Sequence, residues 1–404
     1  MWENIGHEEA RDLLLERVTP LPASRVPLSD SAGRFLAEEI AANEDVPPFD
    51  RSPYDGYAFR AEDTVNASQE KPVALRVIEE IPAGSVPHSI VTSGTAVKIL
   101  TGAPIPDGAD AVVKYEETSF SPKDVTLFNS FLPGDNIVKA GEDVKRGNIL
   151  AHEGDRIDPG LAGVLAAQNI AAPYVFCRPR VGIIATGSEL QDLDVQLEPG
   201  KIRNTGRYIF EAALSMVGCE SVFCGIVGDN DKDIARKIQQ GLEFNDALIL
   251  TGGVSVGDYD RTPAALELAG AEIVVRDVRL KPGGKCVYAL SGKRIICCLS
   301  GNPASALTNY YAIALPLLKK LAGRKDFLPT QVDLTLSGPF NKKSPRPHLL
   351  RGKLKFIDGM TFIDIKAYQG NAILSSMAGS DAMALVPAGS GPLPAGTKLK
   401  GFLL

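Results

Sequence analysis

The spacing of hydrophobic and polar residues changes character three times along the chain. Near the N-terminus, HEEARDLLLERV places Leu13, Leu14 and Val18 on one face of a predicted helix, and SAGRFLAEEI is interpreted as a second helix. Between residues 46 and 143 the helical period fades, and β-prone runs such as VALRVIEEI and TAVKIL alternate with glycine and proline turns. This middle segment is therefore predicted to be a small β-rich lobe.

From about residue 180 to residue 323, strand patterns and helix patterns alternate. RVGIIATGSEL, SVFCGIVGD, DALILTGG and RIICCLSG contain the apolar runs typical of buried strands, and longer helical patterns lie between them. This order predicts a parallel sheet with helices packed on it, a three-layer α/β domain. After residue 329, short strands separated by Gly, Asp and Pro predict a small β barrel or sandwich.

The composition limits the class of protein. At 404 residues the chain exceeds the roughly 250–300 at which one hydrophobic core stops growing, so several domains are expected. The hydrophobic content is 44%, and no apolar run approaches the roughly 18 residues of a membrane span. The first residues lack the basic start and apolar core of a secretory signal, and the six cysteines form no C-x-x-C pair. We therefore expect a cytoplasmic protein with reduced thiols and no membrane contact.

Charge and histidine content disfavour two further classes. The formal net charge of -6 gives no electrostatic reason to expect a nucleic-acid partner, because proteins that bind nucleic acid usually carry a basic face. The four histidines are scattered and match neither a zinc-ligand spacing nor a nucleophile pattern. A zinc enzyme or a triad hydrolase is therefore not expected.

Three of the predicted α/β strands end in loops rich in glycine and small polar residues. The loops contain Thr186, Gly187, Ser188 and Glu189; Gly252, Gly253, Ser255, Asp258 and Asp260; and Ser300, Gly301, Asn302 and Pro303. In open parallel sheets, ligands bind at the carboxyl ends of the strands. Glycine lets backbone N–H groups approach a ligand, and the free N–H groups of a following helix favour an anion. One such loop is more often a simple tight turn, but three together predict a phosphate or oxyanion site.

Several carboxylates fall at strand ends or turns rather than along solvated helix faces. They are Asp55, Asp143, Glu189, Asp229 and Asp260. Carboxylates near a phosphate site usually indicate Mg²⁺, which links them to substrate phosphates. Asp229 and Asp260 could equally be N-caps of the helices that follow, and a cap and a ligand can share one loop. Lys281 and Lys285, in RLKPGGKCVY, would supply positive charge.

Eight segments carry a resemblance to a known family. They are PPFDRSPYDGYAFR, ILTGAPIPDGADAVVKYEE, AGEDV, GIIATGSEL, LTGGVSVGDYD, LKPGGK, SGNPASA and SSMAGSDAMALVP. In this order, across nearly the whole chain, they resemble the molybdopterin molybdenumtransferase family, the MoeA-type proteins that include the E domain of gephyrin. The D-G-Y-A segment and the G-G-V-S-x-G strand end are the most specific matches.

The resemblance implies an elongated homodimer of four-domain subunits. The fold expected is a multidomain α/β plus β protein, and its α/β domain is of the molybdopterin-binding type. The domains would be a helical linking domain at 1–46 with 144–178, a β-rich lobe at 47–143, the α/β domain at 179–326 and a C-terminal β barrel at 327–404. The partner subunit's β lobe would complete each site. Transient contact with a pterin adenylyltransferase and with molybdoenzymes is also implied.

The activity that the resemblance implies is insertion of molybdate into adenylated molybdopterin, with release of AMP in a Mg²⁺-dependent step. The sequence does not separate molybdate from tungstate, since the two anions have nearly the same size and charge. The implied catalytic residues are Asp55, Thr101, Glu189, Asp229, Asp260 and Lys281. The implied metal ligands are Asp143, Glu189, Asp229 and Asp260. The implied cofactor-binding residues are Thr186, Gly187, Ser188, Gly252, Gly253, Ser255, Lys285, Ser300, Gly301, Asn302, Pro303 and Arg351.

The chain departs from the family pattern at three places on the predicted ligand side of the sheet. N-T-G at residues 204–206 stands where the family usually has D-S-N, G-K-C at 284–286 where it has K-P, and Ser300 where it has proline. Two alternatives therefore stay open. One is a paralogue that binds a pterin or nucleotide without inserting metal, as a carrier, sensor or scaffold. The other is a pterin adenylyltransferase.

Overall fold

The computed structural model describes residues 1–254, 261–365 and 368–404, which fall into two compact units. The first unit contains Met1–Glu38, Glu153–Pro159 and Ala172–Leu404, and the second contains Glu39–His152 and Gly160–Ala171. In these described ranges, no helix combines the length and the apolar character needed to cross a bilayer.

Strands account for most of the regular structure. In chain order they are β1 (Trp2–Gly6), β2 (Ala23–Arg25), β3 (Ile40–Ala41), β4 (Gly56–Phe59), β5 (Val73–Ile81), β6 (Thr95–Ile99), β7 (Ala111–Lys114), β8 (Thr118–Phe120), β9 (Asp124–Leu127), β10 (Ile149–Ala151), β11 (Tyr174–Phe176), β12 (Arg180–Thr186), β13 (Leu190–Gln191), β14 (Ile202–Arg203), β15 (Glu220–Val227), β16 (Ala247–Thr251), β17 (Glu272–Arg279), β18 (Cys286–Ser291), β19 (Arg294–Leu299), β20 (Gln331–Leu336), β21 (His348–Ile357), β22 (Met360–Ile365), β23 (Ala382–Val386) and β24 (Lys398–Leu403).

Helices are fewer and lie mainly in the first unit. They are α1 (His7–Glu16), α2 (Pro159–Ala167), α3 (Thr205–Met216), α4 (Asp231–Phe244), α5 (Thr262–Leu268), α6 (Pro303–Asn309) and α7 (Leu315–Leu321). A π-helical turn, Tyr310–Ala314, joins α6 to α7 directly. Short 3₁₀ turns occur at Leu28–Asp30, Ala61–Thr64, Tyr115–Glu117 and Leu374–Ser376.

The α/β domain is built on a mixed sheet of order β1-β17-β18-β19-β16-β12-β15. The four strands β19, β16, β12 and β15 are parallel, as the alternating pattern predicted. Strand β18 is antiparallel to both of its neighbours, so the sheet is mixed at this position instead of parallel throughout. Only two residues connect β18 to β19, and a parallel crossover needs a dozen or more.

The N-terminal segment differs in part from the two predicted helices. Helix α1 is confirmed, and Leu14 and Leu15 pack in the same core as the sheet. Residues 2–6, however, form β1, which pairs in parallel with β17 at the sheet edge. The second helix is absent. Gly33 has a positive φ, and Leu36 donates its N–H to the carbonyl of Asp155, so this backbone is paired with a distant segment instead of with itself.

The β-rich lobe and the terminal barrel both agree with the sequence pattern. In the second unit, β7-β4-β6-β5-β9-β8 form one sheet, and Phe59, Leu75 and Val125 are fully or almost fully buried on it. In the first unit, β20-β22-β21-β23-β24 close into a barrel. Its interior is filled by apolar side chains such as Leu334 and Leu350, which satisfies the alternation expected of barrel strands. In addition, β3 pairs with β10 and β2 pairs with β11 in short ladders.

A glycine at the end of α7 gives a prediction about stability. Gly323 has φ +75 and ends the helix with paired bonds from its own N–H to Lys320 and from Arg324 to Lys319. A Cβ at Gly323 would lie 2.0 Å from the Phe176 ring. Gly323→Ala should lower the free energy of unfolding by roughly 2–5 kcal/mol, the sum of left-handed strain and overpacking.

Gly270, at the end of α5, is the matched control. It has φ +76 and the same helix-ending bonds, but a Cβ there would meet nothing within 4 Å. Gly270→Ala should therefore cost only the strain of about 1–2 kcal/mol. Thermal unfolding of both variants measures the difference, and equal losses would show that the contact with Phe176 contributes nothing.

Candidate functional site

A cleft of about 1440 Å³ opens at the carboxyl edge of the α/β sheet. The residues that follow β12, β16 and β19 line it, together with the turn after β17. Strand β12 lies between β15 and β16, so the chain reverses its direction of winding there. Open α/β sheets bind their ligands at such a switch point, and the cleft lies where the three strand-end loops were predicted to meet.

The loops after β12 and β16 are in direct contact. The Thr186 hydroxyl donates a hydrogen bond of 3.1 Å to the carbonyl of Thr251, the last residue of β16. Gly252 then passes so close that a Cβ there would lie 2.4 Å from the Thr186 carbonyl oxygen. Thr186, Gly187, Gly252 and Gly253 all line the cleft. Glycine at position 252 is therefore required by the close approach of two backbones.

The third loop brings the start of a long helical segment to the same cleft. Ser300, Gly301, Asn302 and Pro303 line it, and the Asn302 N–H donates to the Ser300 hydroxyl at 3.2 Å. Pro303 begins α6, where the missing N–H of proline costs no helical hydrogen bond. The first N–H groups of a helix lack intrahelical partners, so this wall of the cleft favours an anionic or strongly accepting ligand group.

One side of the cleft is acidic. Glu189 and Asp229 both line it and are exposed. Asp229 accepts a hydrogen bond of 3.1 Å from the N–H of Ser188, which pins the loop after β12 to the loop after β15. Ser188 itself is not a lining residue, and its carbonyl accepts a hydrogen bond from the Lys201 ammonium at 2.6 Å.

The structure separates the two roles considered for Asp229. Asn230 is the residue that caps α4, because its side-chain oxygen accepts the N–H groups of Lys232 and Asp233 at 3.0 and 3.2 Å. The Asp229 carboxylate makes no cap bond to that helix and lines the cleft instead. The interpretation of Asp229 as a helix cap was therefore wrong.

The acidic side fits a hard divalent cation that also binds a ligand. Mg²⁺ typically takes one or two protein carboxylates and completes its shell with water and substrate phosphates, and Glu189 and Asp229 are two exposed carboxylates on adjacent loops. Over the described residues, no group of three or more His, Cys, Asp or Glu side chains forms a metal-binding cluster. Asp143 belongs to the second unit, and the predicted ligand Asp260 lies outside the described residues, as does Ser255.

The opposite side of the cleft carries positive charge. Lys281, Lys285 and Arg346 line it. Lys285 forms an ion pair with Asp277. The Lys281 backbone is fixed by hydrogen bonds of 2.8 Å to the carbonyl of Pro347 and from the N–H of Leu349. The lysine turn after β17 is thereby joined to the start of barrel strand β21.

His348 lies fully buried beside this basic side. Its Nδ1 is 3.2 Å from the Ser344 hydroxyl oxygen, and its ring meets Phe340 edge-on. Burial, helped by the nearby charges of Lys281 and Arg351, lowers the pKa of His348 to about 4. The imidazole is therefore neutral at neutral pH and adds no charge to the cleft.

Arg351, predicted to bind the cofactor, is not among the residues that line the cleft. Its side chain is completely buried in the barrel, where Nε donates to the Ser376 hydroxyl at 3.0 Å and Nη2 to the Gly370 carbonyl at 3.3 Å. Burial lowers the pKa of Arg351 to about 10. The guanidinium thus does not line the cleft, and its Nη1 is buried without a hydrogen-bond partner among the described residues. The cofactor-binding role of Arg351 stays a prediction.

Asp55 and Thr101, the predicted catalytic residues of the β lobe, contact each other in the second unit. The Asp55 carboxylate accepts hydrogen bonds from the Thr101 backbone N–H at 2.7 Å and from its hydroxyl at 2.8 Å. These bonds hold the pKa of Asp55 below its ordinary value. Asp55 therefore presents a fixed, ionised carboxylate, held in place by Thr101.

Sequence reasoning missed several residues that line the cleft. They are Glu3, Asn4, Arg346 and Asn371. Asn204, one of the departures from the family pattern, also lines it and caps α3 by accepting the Arg207 N–H at 3.3 Å. Only Asn204 had a local signal, since asparagine before an amphipathic helix is a typical cap. Glu3 and Asn4 reach the cleft because β1 joins the sheet through long-range pairing.

Comparisons with known proteins cover nearly the whole chain. Residues 5–168 match the profile described as the MoeA N-terminal region (domain I and II), residues 182–320 a probable molybdopterin binding domain, and residues 333–403 the MoeA C-terminal region (domain IV). The chain is 36% identical to the molybdopterin molybdenumtransferase of Staphylococcus epidermidis, over 97% of this chain and 94% of that protein. It is 35% identical to the protein of the same name from Bacillus subtilis, over 97% and 96%.

A solved structure gives the same result for the fold. The molybdopterin biosynthesis moeA protein from Pyrococcus horikoshii superposes with a TM-score of 0.84 at 30% identity, over 99% of this chain and 100% of that one. Sequence profile, sequence identity and fold therefore agree over the same span. The chain belongs to the MoeA family, whose relatives named above are called molybdopterin molybdenumtransferases.

Proposed function

We propose that this protein acts in molybdenum cofactor biosynthesis as a molybdopterin molybdenumtransferase. The proposal rests on the charges that line the cleft. One side is acidic, at Glu189 and Asp229, and the other side is basic, at Lys281 and Arg346. A substrate that carries phosphates and accepts an oxyanion needs cations to bind the negative groups and carboxylates to bind a divalent metal. The finer proposal is that the substrate is adenylated molybdopterin, that molybdate or tungstate is inserted into its dithiolene, and that AMP is released.

The chain's own residues would bind and orient the substrates. The glycine turns at residues 187 and 252–253 allow a flat or phosphorylated ligand to approach the backbone, and the helix start at Pro303 favours its negative charge. Lys281 would hold an anionic group by charge. Glu189 and Asp229 would hold Mg²⁺, with Asp260 and Asp143 as the further predicted ligands. When bound, Mg²⁺ supplies charge neutralisation at the phosphate oxygens.

The reaction we propose suits the cytoplasm. A dithiolene must stay reduced to accept metal, and thiols are kept reduced in that compartment. The six cysteines of this chain form no disulfide.

We also propose that the protein works as a homodimer whose sites are shared between subunits. Asp55 and Thr101 form a fixed carboxylate site on the second unit, whereas the cleft belongs to the first. In a two-fold dimer, each such lobe residue can serve the cleft of the partner subunit, and two equivalent sites result.

The proposed reaction predicts AMP release that depends on an oxyanion. The protein should be incubated with adenylated molybdopterin and Mg²⁺, with molybdate, with tungstate or with neither, and AMP measured by chromatography. We expect AMP to appear only when an oxyanion is present. Tight binding without AMP would support a carrier or scaffold, and ATP consumption with free molybdopterin would support an adenylyltransferase.

Removal of the Asp229 charge predicts a loss of chemistry without a loss of stability. Asp229→Asn keeps an acceptor for the Ser188 N–H and leaves the α4 cap intact, because Asn230 makes the cap bonds. We expect near-normal thermal stability, retained binding of the adenylated pterin, and AMP release reduced at limiting Mg²⁺ but partly restored by excess Mg²⁺.

Asn230→Ala is the matched control for that variant. It removes the cap of α4 and should lower stability by about 0.5–2 kcal/mol while AMP release well below the melting temperature stays normal. Full activity of Asp229→Asn at limiting Mg²⁺ would contradict a metal-binding role.

Shared sites predict complementation, at limiting Mg²⁺, between two variants with impaired AMP release. Asp55→Asn impairs the lobe and Asp229→Asn impairs the cleft, so a mixed dimer would keep one fully intact site. After subunit exchange at a 1:1 ratio, half of the dimers are mixed, and AMP release should recover to about a quarter of the wild-type rate. One variant is labelled with ¹⁵N so that native mass spectrometry can distinguish the mixed dimer by its mass. No recovery, although mixed dimers are detected, would place each complete site within one subunit.

A further inference from the structure

Arg346 is a cleft residue whose charge is not used by the protein itself. The residue is exposed and lines the cleft. Within the residues that the structure describes, no hydrogen bond, ion pair or ring contact involves its guanidinium. A permanently charged guanidinium that faces a ligand cleft and lacks an internal counter-ion is available to bind an anionic ligand.

The backbone around Arg346 is held in place on both sides. On one side, Ser344 exchanges backbone hydrogen bonds with the 389–390 turn at 2.7 and 2.9 Å, and its hydroxyl meets Nδ1 of buried His348. On the other side, the Pro347 carbonyl accepts the Lys281 N–H at 2.8 Å. Pro345 and Pro347 further restrict the main chain. Arg346 therefore presents its side chain from a preorganised segment, which lowers the entropy lost on binding.

The other cations of this side are not equivalent to Arg346. Lys285 is already paired with Asp277, so an anion that binds Lys285 must compete with a carboxylate. Lys281 has no side-chain partner among the described residues and is tied to the Arg346 segment through the backbone. Lys281 and Arg346 are thus the two uncompensated cations on this side of the cleft.

We propose that Arg346, together with Lys281, binds a tetrahedral oxyanion in the cleft, and that Arg346 is a substrate-binding residue of the reaction. Guanidinium presents two parallel N–H donors that match two oxygens of such an anion, whereas ammonium acts as a point charge. The same chemistry is offered by a phosphate group of the pterin nucleotide and by free molybdate. This inference rests on the proposed function for the identity of these two ligands.

The test compares Arg346→Gln and Arg346→Lys with Lys343→Gln. Lys343 lies three residues earlier on the same exposed segment and does not line the cleft, so its replacement removes the same charge without touching the site. Two quantities are measured for each variant: the Kd of adenylated molybdopterin by calorimetry, and the KM of molybdate in AMP release.

Arg346→Gln should raise either the Kd of adenylated molybdopterin or the KM of molybdate by about tenfold to a hundredfold. This is the range expected for lost charge-assisted hydrogen bonds. Arg346→Lys should lie between Arg346→Gln and the wild type, because charge remains but the paired donors are lost. A raised Kd with unchanged molybdate KM assigns the residue to the nucleotide phosphate, and the reverse assigns it to molybdate.

The inference is overturned if Arg346→Gln behaves like Lys343→Gln in both measurements. That outcome differs from failure of the proposed function, in which the wild-type protein would bind the adenylated pterin but release no AMP with either oxyanion. Because the Kd is measured without turnover, the contribution of Arg346 to binding the nucleotide phosphate can still be measured in that case. Circular dichroism and melting curves of all three variants should match the wild type, since the side chain has no internal contacts to lose.

Discussion

The close approach of two backbones at the switch point of the α/β sheet determines the rest of the site. Gly252 passes over the Thr186 carbonyl, and its own N–H donates to the carbonyl of Leu299 at the end of β19 at 3.0 Å. One glycine thereby connects the ends of three strands. Any side chain at that position would separate the loops, and the cleft between them would lose the geometry that brings acidic and basic residues to one ligand.

Charge separation across the cleft follows from the sheet topology. Glu189 and Asp229 come from the two strands on one side of the switch point, and their loops are joined by the Ser188 hydrogen bond. Lys281 comes from the turn between β17 and β18, on the other side. Carboxylates without nearby cations would repel an anionic substrate, whereas cations without carboxylates would leave no place for a divalent metal. Both groups line the same cleft, so one ligand can meet both kinds of charge.

The sequence predicted those parts that depend on local patterns. Buried strands followed by glycine turns were visible in IIATG and LILTGG, and parallel strands bring their carboxyl ends to one edge, so the three loops were expected together. The same reasoning did not predict that β18 runs antiparallel to its neighbours. A short apolar run does not show the direction of a strand, which depends on the length of the connection to the next one. The reasoning also missed Arg346, whose position depends on backbone pairing between Lys281 and the barrel. The sequence also did not show that Arg351 is buried, since nothing in HLLRGKL distinguishes a buried arginine from an exposed one.

The edge strand β1 has a consequence for the order in which the chain can fold. Trp2 pairs with Val275, so β1 has no partner until more than 270 further residues have been synthesised. Contacts of such high sequence separation form late and slowly, because the loop must close before any hydrogen bond offsets its entropy. Glu3 and Asn4 of this strand line the cleft. One wall of the binding site is therefore made by residues that are synthesised long before their pairing partners, and it is completed only among the later events of folding.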